Sequence, residues 1–149
     1  MKKRSASKSL LFLACGILAA TTSAQNTTAI PNPVLAFQGQ EEVLRQGKTL
    51  VKFKFAIENR NSIPNELFAE SPDLPPCGTN TRSARTWIDV FDQRGKRLNG
   101  FCAVKNRDGL SDIWFMLEPG AVPPSWVYIQ MNDRKEQRVY KSNLAETTL

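Results

Sequence analysis

The sequence predicts an all-β fold, a single antiparallel sandwich of two sheets with about seven short strands. From Leu50 to Asn59, LVKFKFAIEN alternates apolar and polar residues with a period of two, as a strand with one buried face does. Two β-rich runs, Arg85 to Phe91 and Leu98 to Val104, flank a polar turn that contains Gly95, which is typical of a hairpin. No stretch of the chain after residue 24 has convincing helical periodicity. About seven short strands without helices favour two packed sheets over a barrel or a parallel sheet.

The first 24 residues have the three parts of a secretory signal peptide: basic MKKRSASKS, apolar LLFLACGILAA and small-residue TTSA. We expect cleavage after Ala24. The apolar run of 11 residues is too short to span a bilayer, and no later run approaches the ~20 residues needed, so the mature protein has no predicted transmembrane segment. We therefore expect a secreted or periplasmic protein. The alternative is a lipid anchor at Cys15, because Leu-Ala-Cys-Gly forms part of a bacterial lipobox.

Most of the net charge of +6 at pH 7 comes from the predicted signal peptide. Four of the 20 Lys and Arg residues lie before residue 25, where there is no Asp or Glu, which leaves 16 basic against 14 acidic residues. Binding to DNA or RNA depends on a basic face that releases counterions from phosphates. The chain that follows the predicted signal peptide is nearly neutral, which argues against a nucleic-acid partner.

Two cysteines, Cys77 and Cys102, remain after the predicted cleavage. An even number of cysteines in an oxidising compartment favours a disulfide. Closing this loop would stabilise the fold by roughly 3 to 3.5 kcal/mol in the chain-entropy model. A redox-active pair would more usually be a CxxC motif, so the predicted role of this disulfide is structural.

The first half of the predicted domain combines two strands with polar connections. Residues 25–33 form a predicted flexible arm, Val34 to Gln38 a short strand, and Gln40 to Lys48 a turn or poorly ordered connection before the strong strand. Pro-rich residues 59–80 predict a long connection with Leu67 and Phe68 as hydrophobic anchors, either a functional loop or a crossover between the sheets.

The second half supplies the remaining strands. Beyond the central hairpin, whose first strand has apolar residues on both faces and is expected in the sheet interior, strands are predicted at Ile113 to Leu117, Trp126 to Met131 and Gln137 to Ser142. The domain then covers residues 34–143. Residues 144–149 form a predicted flexible tail with too little apolar material to dock.

The pattern resembles immunoglobulin-like and fibronectin type III-like domains in its strand number and in Trp87 lying between two cysteines. This resemblance implies a sandwich fold without fixing an activity. The runs Thr86 to Cys102 and Pro123 to Ile129 also resemble segments of small secreted bacterial proteins of uncharacterised function.

Catalytic chemistry is restricted because the sequence contains no histidine. This excludes Ser-His-Asp and Cys-His nucleophile activation and HExxH zinc sites. No cofactor or metal site is predicted, since phosphate-binding glycine motifs are missing and Asp108 to Asp112 lacks the alternating ligands of a calcium loop. Carboxylate pairs remain as an alternative; the candidates are Glu41 with Glu42, Asp89 with Asp92, and Asp108 with Asp112.

The clearest binding signal is in the predicted strand WVYIQM. If Val127, Ile129 and Met131 face the core, Trp126 and Tyr128 share the opposite face about 7 Å apart, where two rings can form a platform for a sugar. Burial of both rings is the alternative. We therefore expect a noncatalytic interaction module with a protein or carbohydrate partner, and a histidine-free hydrolase or calcium-dependent enzyme as the alternative function.

Overall fold

A computed structural model describes residues 29–71, 73–74, 85–102 and 104–148, and it contains two antiparallel sheets. The strands are β1 (Leu35–Arg45), β2 (Lys48–Ile57), β3 (Thr86–Asp92), β4 (Arg97–Phe101), β5 (Ile113–Leu117), β6 (Trp126–Asp133), β7 (Arg138–Lys141) and β8 (Ala145–Glu146). The three-stranded sheet has the order β1-β2-β5. The five-stranded sheet has the order β4-β3-β6-β7, and β8 also pairs with β6. The predicted all-β, two-sheet fold is confirmed.

The described helical segments are three short 3-10 turns, Arg60–Ser62, Asn65–Phe68 and Arg107–Ser111. None of the helical segments in the described ranges has the length or the apolar composition needed to cross a bilayer. The predicted signal peptide, the alternative anchor at Cys15 and one half of the predicted disulfide, Cys77, lie outside the described residues.

The core lies between the two sheets and is built from the predicted alternating residues. In β2, Phe53, Phe55 and Ile57 are at most 3% exposed. Phe53 stacks on Phe115 of β5 with ring centroids 4.9 Å apart. β3 lies between β4 and β6, as its two partly apolar faces predicted, and it buries Ile88 and Val90 completely.

The first strand is longer than the sequence predicts, because β1 continues through the polar residues to Arg45. β1 and β2 form one hairpin, closed by Gln46 and Gly47 with φ of 51° and 77°. Two successive positive φ angles are typical of the two-residue type I′ turn. The interpretation of residues 40–48 as a turn or poorly ordered connection is therefore wrong for all but this tip.

The long connection after β2 joins the two sheets, which confirms the crossover interpretation. Its predicted anchors Leu67 and Phe68 are buried at 1% and 6% exposure and belong to the core. The hydroxyl of Thr86 donates to the carbonyl of Leu67 and so ties this connection to the start of β3.

The end of the chain docks further than predicted. Ala145 and Glu146 form β8 against the start of β6, and Ala145 and Thr147 are buried. The Thr147 hydroxyl also donates to the carbonyl of Pro124. The tail prediction is therefore wrong for residues 145–147: main-chain pairing with β6, the Thr147 hydroxyl and the burial of Ala145 in the core hold this segment. At the other end, Ile30 of the predicted arm packs against the core.

Two asparagine side chains connect the sheets along their edges. Asn143 accepts a hydrogen bond from the main-chain N–H of Leu35 at 2.8 Å and donates one to its carbonyl at 3.0 Å. Asn99 of β4 donates to the carbonyl of Trp114 in β5 at 2.7 Å. Each side-chain amide therefore satisfies main-chain groups at an edge strand of the three-stranded sheet.

Candidate functional site

The candidate site is the outer face of the five-stranded sheet, the side that points away from the core. Its central strands bury alternate residues and turn the others outward. The outward residues are mainly aromatic and polar: Trp87, Asp89 and Phe91 in β3, Trp126, Tyr128, Gln130 and Asn132 in β6, and Val139 and Lys141 in β7.

Asp89 lies at the centre of a hydrogen-bond network on this outer face. Its carboxylate accepts hydrogen bonds from Arg97 Nε at 2.7 Å, Trp87 Nε1 at 3.0 Å and Asn132 Nδ2 at 3.2 Å. The Asp89 side chain is only 18% exposed, so these donors replace water around a half-buried charge. The network fixes the orientation of an indole ring and of an amide on two neighbouring strands.

Gly100 makes room for the arginine in this network. It lies opposite Asp89 in the β3–β4 register, and a Cβ atom here would lie 1.8 Å from a guanidinium nitrogen of Arg97. The Arg97 side chain therefore crosses the β4 backbone at the position of the missing side chain.

Tyr128 lies beside this network and is covered on the outer face. Its ring stacks on Phe91 with centroids 5.3 Å apart and an interplanar angle of 18°. Lys141 Nζ lies 4.1 Å from the centroid of the same ring, within cation–π range. Tyr128 is consequently 9% exposed.

Trp126, the other member of the predicted platform, is 40% exposed. Its main chain is bonded to Gln93 of the β3–β4 turn, with Gln93 N donating to Trp126 O at 3.1 Å. Val127, Ile129 and Met131 face the core as expected, and both aromatic residues point away from it. The two rings offer unequal surfaces, and their role in ligand binding stays a prediction.

Most of the candidate carboxylates have local partners. Glu41 pairs with Lys54 at 3.1 Å, and Asp112 pairs with Lys52 at 3.4 Å. Asp92 accepts from the main-chain N–H groups of Arg94 and Lys96 and so holds the β3–β4 turn. Within the described ranges, no three His, Cys, Asp or Glu side chains are grouped as metal ligands.

Arg85 and Asp133 form a buried ion pair at one end of β3 and β6. Two hydrogen bonds join them, Nε to Oδ1 at 2.8 Å and Nη2 to Oδ2 at 2.7 Å, and the Asp133 side chain is 1% exposed. Burial alone raises the pKa of Asp133, but the hydrogen bond from Arg85, those from the Glu136 and Lys135 amides and the arginine charge together lower it below its ordinary value. The hydrogen bond to Asp133 likewise raises the pKa of Arg85.

The Asp89 network was not predicted from the sequence. Alternation in β3 places Trp87, Asp89 and Phe91 on one face, but the other two donors, Arg97 and Asn132, come from β4 and β6, and their alignment depends on register. The sequence signal that could have indicated the network is Asp89 two positions after Trp87, with Gly100 in the second strand of the predicted hairpin.

The fold and this outer face define a small all-β protein with two antiparallel sheets and a partly aromatic, hydrogen-bonded external surface. Comparison with known proteins found no matching family model, no similar curated protein and no similar solved structure.

Proposed function

We propose that this protein is a noncatalytic binding module of the cell envelope or the extracellular space. The observation that carries the proposal is the outer face, where Trp126 is exposed at one end of β6 and hydrogen bonds hold the indole of Trp87 and the amide of Asn132 in place toward the other end. A preorganised surface of this kind loses little side-chain entropy when it binds a ligand.

The ligand class that fits this face best is a carbohydrate. The apolar face of a sugar ring stacks on an exposed indole, and its hydroxyl groups need fixed donors and acceptors. Gln130 and Lys141 lie directly opposite each other beside Tyr128, and Asn132 follows in the same row. A chain of sugars along β6 would therefore meet Trp126 first and these polar groups next.

The strand order supports the finer assignment to an immunoglobulin-like or fibronectin type III-like domain. With β1, β2 and β5 as strands A, B and E, the other sheet has the order C′-C-F-G in β4, β3, β6 and β7. Trp87 differs from the core tryptophan of antibody domains, because it lies on the outer face. The signal peptide and the Cys77–Cys102 disulfide belong to this proposal.

The alternative enzyme function has less support. Glu41, Asp92 and Asp112 each have a lysine or main-chain partner, and Asp89 is held by three donors. Acid–base work needs a carboxylate that can reach a substrate proton, and in the described part of the chain these four carboxylates stabilise local structure.

Binding to insoluble polysaccharides tests the proposal. We expect cellulose, chitin or peptidoglycan to deplete the protein from solution, Trp126→Ala to abolish this depletion and Trp126→Phe to retain part of it. Val122→Ala is the matched control, because Val122 is 91% exposed on a loop and lies outside the outer face. Equal binding by wild type and Trp126→Ala, with both folded by circular dichroism, would contradict the proposal.

A further inference from the structure

The outer edge of β1 pairs with no strand in the described part of the chain, and it is a surface that the proposed binding face does not involve. β1 is the edge strand of the three-stranded sheet, and its segment Gln40 to Arg45 is charged and exposed except for a half-buried Val43. Leu44 is 78% exposed. Asn143 covers the beginning of β1 at Leu35, but its hydrogen bonds do not extend to this segment.

The turn geometry determines which main-chain groups of β1 point outward. In a two-residue type I′ hairpin the flanking residues, Arg45 and Lys48, exchange both main-chain hydrogen bonds. Hydrogen-bonded and non-hydrogen-bonded pairs alternate along an antiparallel ladder. Gln40, Glu42 and Leu44 therefore direct their main-chain N–H and C=O groups away from β2. These groups can pair with the main chain of an added strand.

Charge selects one register for pairing with a second copy of this chain. The outward groups allow several antiparallel pairings. The one centred on Val43 places Glu41 of each copy opposite Arg45 of the other, so that two Glu–Arg pairs form. Centring on Glu42 brings two glutamates together, and centring on Leu44 leaves Glu41 opposite a glycine. Opposite charges across strands stabilise a pair, whereas like charges destabilise it.

We propose that the protein forms a twofold-symmetric dimer through β1, with β1 of each copy antiparallel to the other and Val43 on the axis. Glu42 of each copy then exchanges main-chain hydrogen bonds with Leu44 of the other. The two Leu44 side chains are diagonal neighbours on one face, where long side chains reach each other. The result is one continuous six-stranded sheet, in which the closed symmetry uses the β1 edge of each copy.

Complementary charge reversals test both the dimer and its register. Sedimentation equilibrium is measured on the protein as it is purified after export by its host cell. Concentrations extend up to about 1 mM, because a contact between short edge strands is expected to be weak. Glu41→Arg alone and Arg45→Glu alone each place like charges opposite each other twice, and each should weaken the dimer by roughly tenfold or more. An equimolar mixture of the two variants restores both attractive pairs and should recover dimers.

Leu44→Pro provides a second test that leaves the β1–β2 ladder intact, because the lost N–H points away from β2. This variant should be monomeric with an unchanged circular dichroism spectrum. A wild-type protein that is monomeric at every concentration overturns the proposal. A dimer that survives the single reversals, or that the mixture does not restore, overturns it as well. Polysaccharide binding is measured separately, so failure of the dimer is distinguishable from failure of the proposed function.

Discussion

Phe53 and Lys52 are adjacent in β2 but face opposite sides of the sheet. Phe53 is 3% exposed and stacks on Phe115, whereas the Lys52 side chain is 18% exposed and pairs with Asp112 near the surface. We expect Phe53→Ala to lower the free energy of unfolding by about 3 to 5 kcal/mol and Lys52→Ala by less than about 1 kcal/mol. Urea denaturation of both variants measures the difference. Similar losses would show that this strand is not one-sided.

The Arg85–Asp133 pair gives the fold an acid-sensitive contribution to stability. The pKa of Asp133 in the folded protein lies below the ordinary value of 3.8, so the pair stabilises the fold fully above that value and loses its contribution as the pH falls through the lower, folded-state pKa. Asp133→Asn should cost about 3 kcal/mol at pH 7, because Arg85 keeps its charge without its partner.

The same variant should lose less stability on acidification than the wild type does. Asp112→Asn is the matched control, since the Asp112 side chain is 65% exposed in its pair with Lys52 and its loss should cost less than about 1 kcal/mol. Thermal denaturation between pH 7 and pH 2 compares the three proteins. Parallel acid curves for wild type and Asp133→Asn would contradict this assignment.

At the level of single residues, the sequence predicts burial better than it predicts polar partners. The alternation of Phe53, Phe55 and Ile57 with polar residues identifies a core stripe because the pattern is complete within one strand of the sequence. Asp89 finds two of its three donors on other strands, and Asp133 finds Arg85, 48 residues away in the chain, so only the three-dimensional register aligns these partners. The alternation predicts that Trp126 lies on the outward face. It does not predict that Lys141 and Phe91 cover Tyr128 there.

Among the elements, the β1–β2 hairpin depends on its turn. Gly47 has a φ of 77° with open space around it, so an added side chain meets a backbone penalty and no clash. We expect Gly47→Ala to lower the free energy of unfolding by about 1 kcal/mol. Gln46→Asn should raise it by roughly 0.3 kcal/mol, because asparagine tolerates the left-handed region better than glutamine does. Chemical denaturation tests both signs, and a stabilising Gly47→Ala would exclude the type I′ turn.

The length of β1 shows why strand ends are difficult to predict from polarity. Gln40 to Arg45 lacks an alternating apolar pattern because neither of its faces is fully buried. It is a strand because main-chain pairing with β2 continues past the core and because Glu41 pairs with Lys54 across it. A hydrophobic pattern detects burial, whereas this segment is held by its ladder and by charge.

For the whole molecule, we expect export to remove 24 residues and to leave no free thiol. Intact-mass measurement of the exported protein should give a chain that begins at Gln25, and a thiol-reactive label should add mass only after reduction and unfolding. A diacylglyceryl adduct at Cys15, or two labelled thiols in the unreduced protein, would contradict these expectations.

The two edge asparagines also bear on how the molecule opens. Asn99 links β4 to β5, and Asn143 links the β7–β8 segment to β1, so hydrogen bonds run around the whole sandwich and return to their starting strand. Neither sheet can separate without breaking these links. Native-state hydrogen exchange should therefore show the core amides of β2 and β6 opening together as one cooperative unit. Replacing both asparagines with alanine should divide that unit, so that the three-stranded sheet exchanges first.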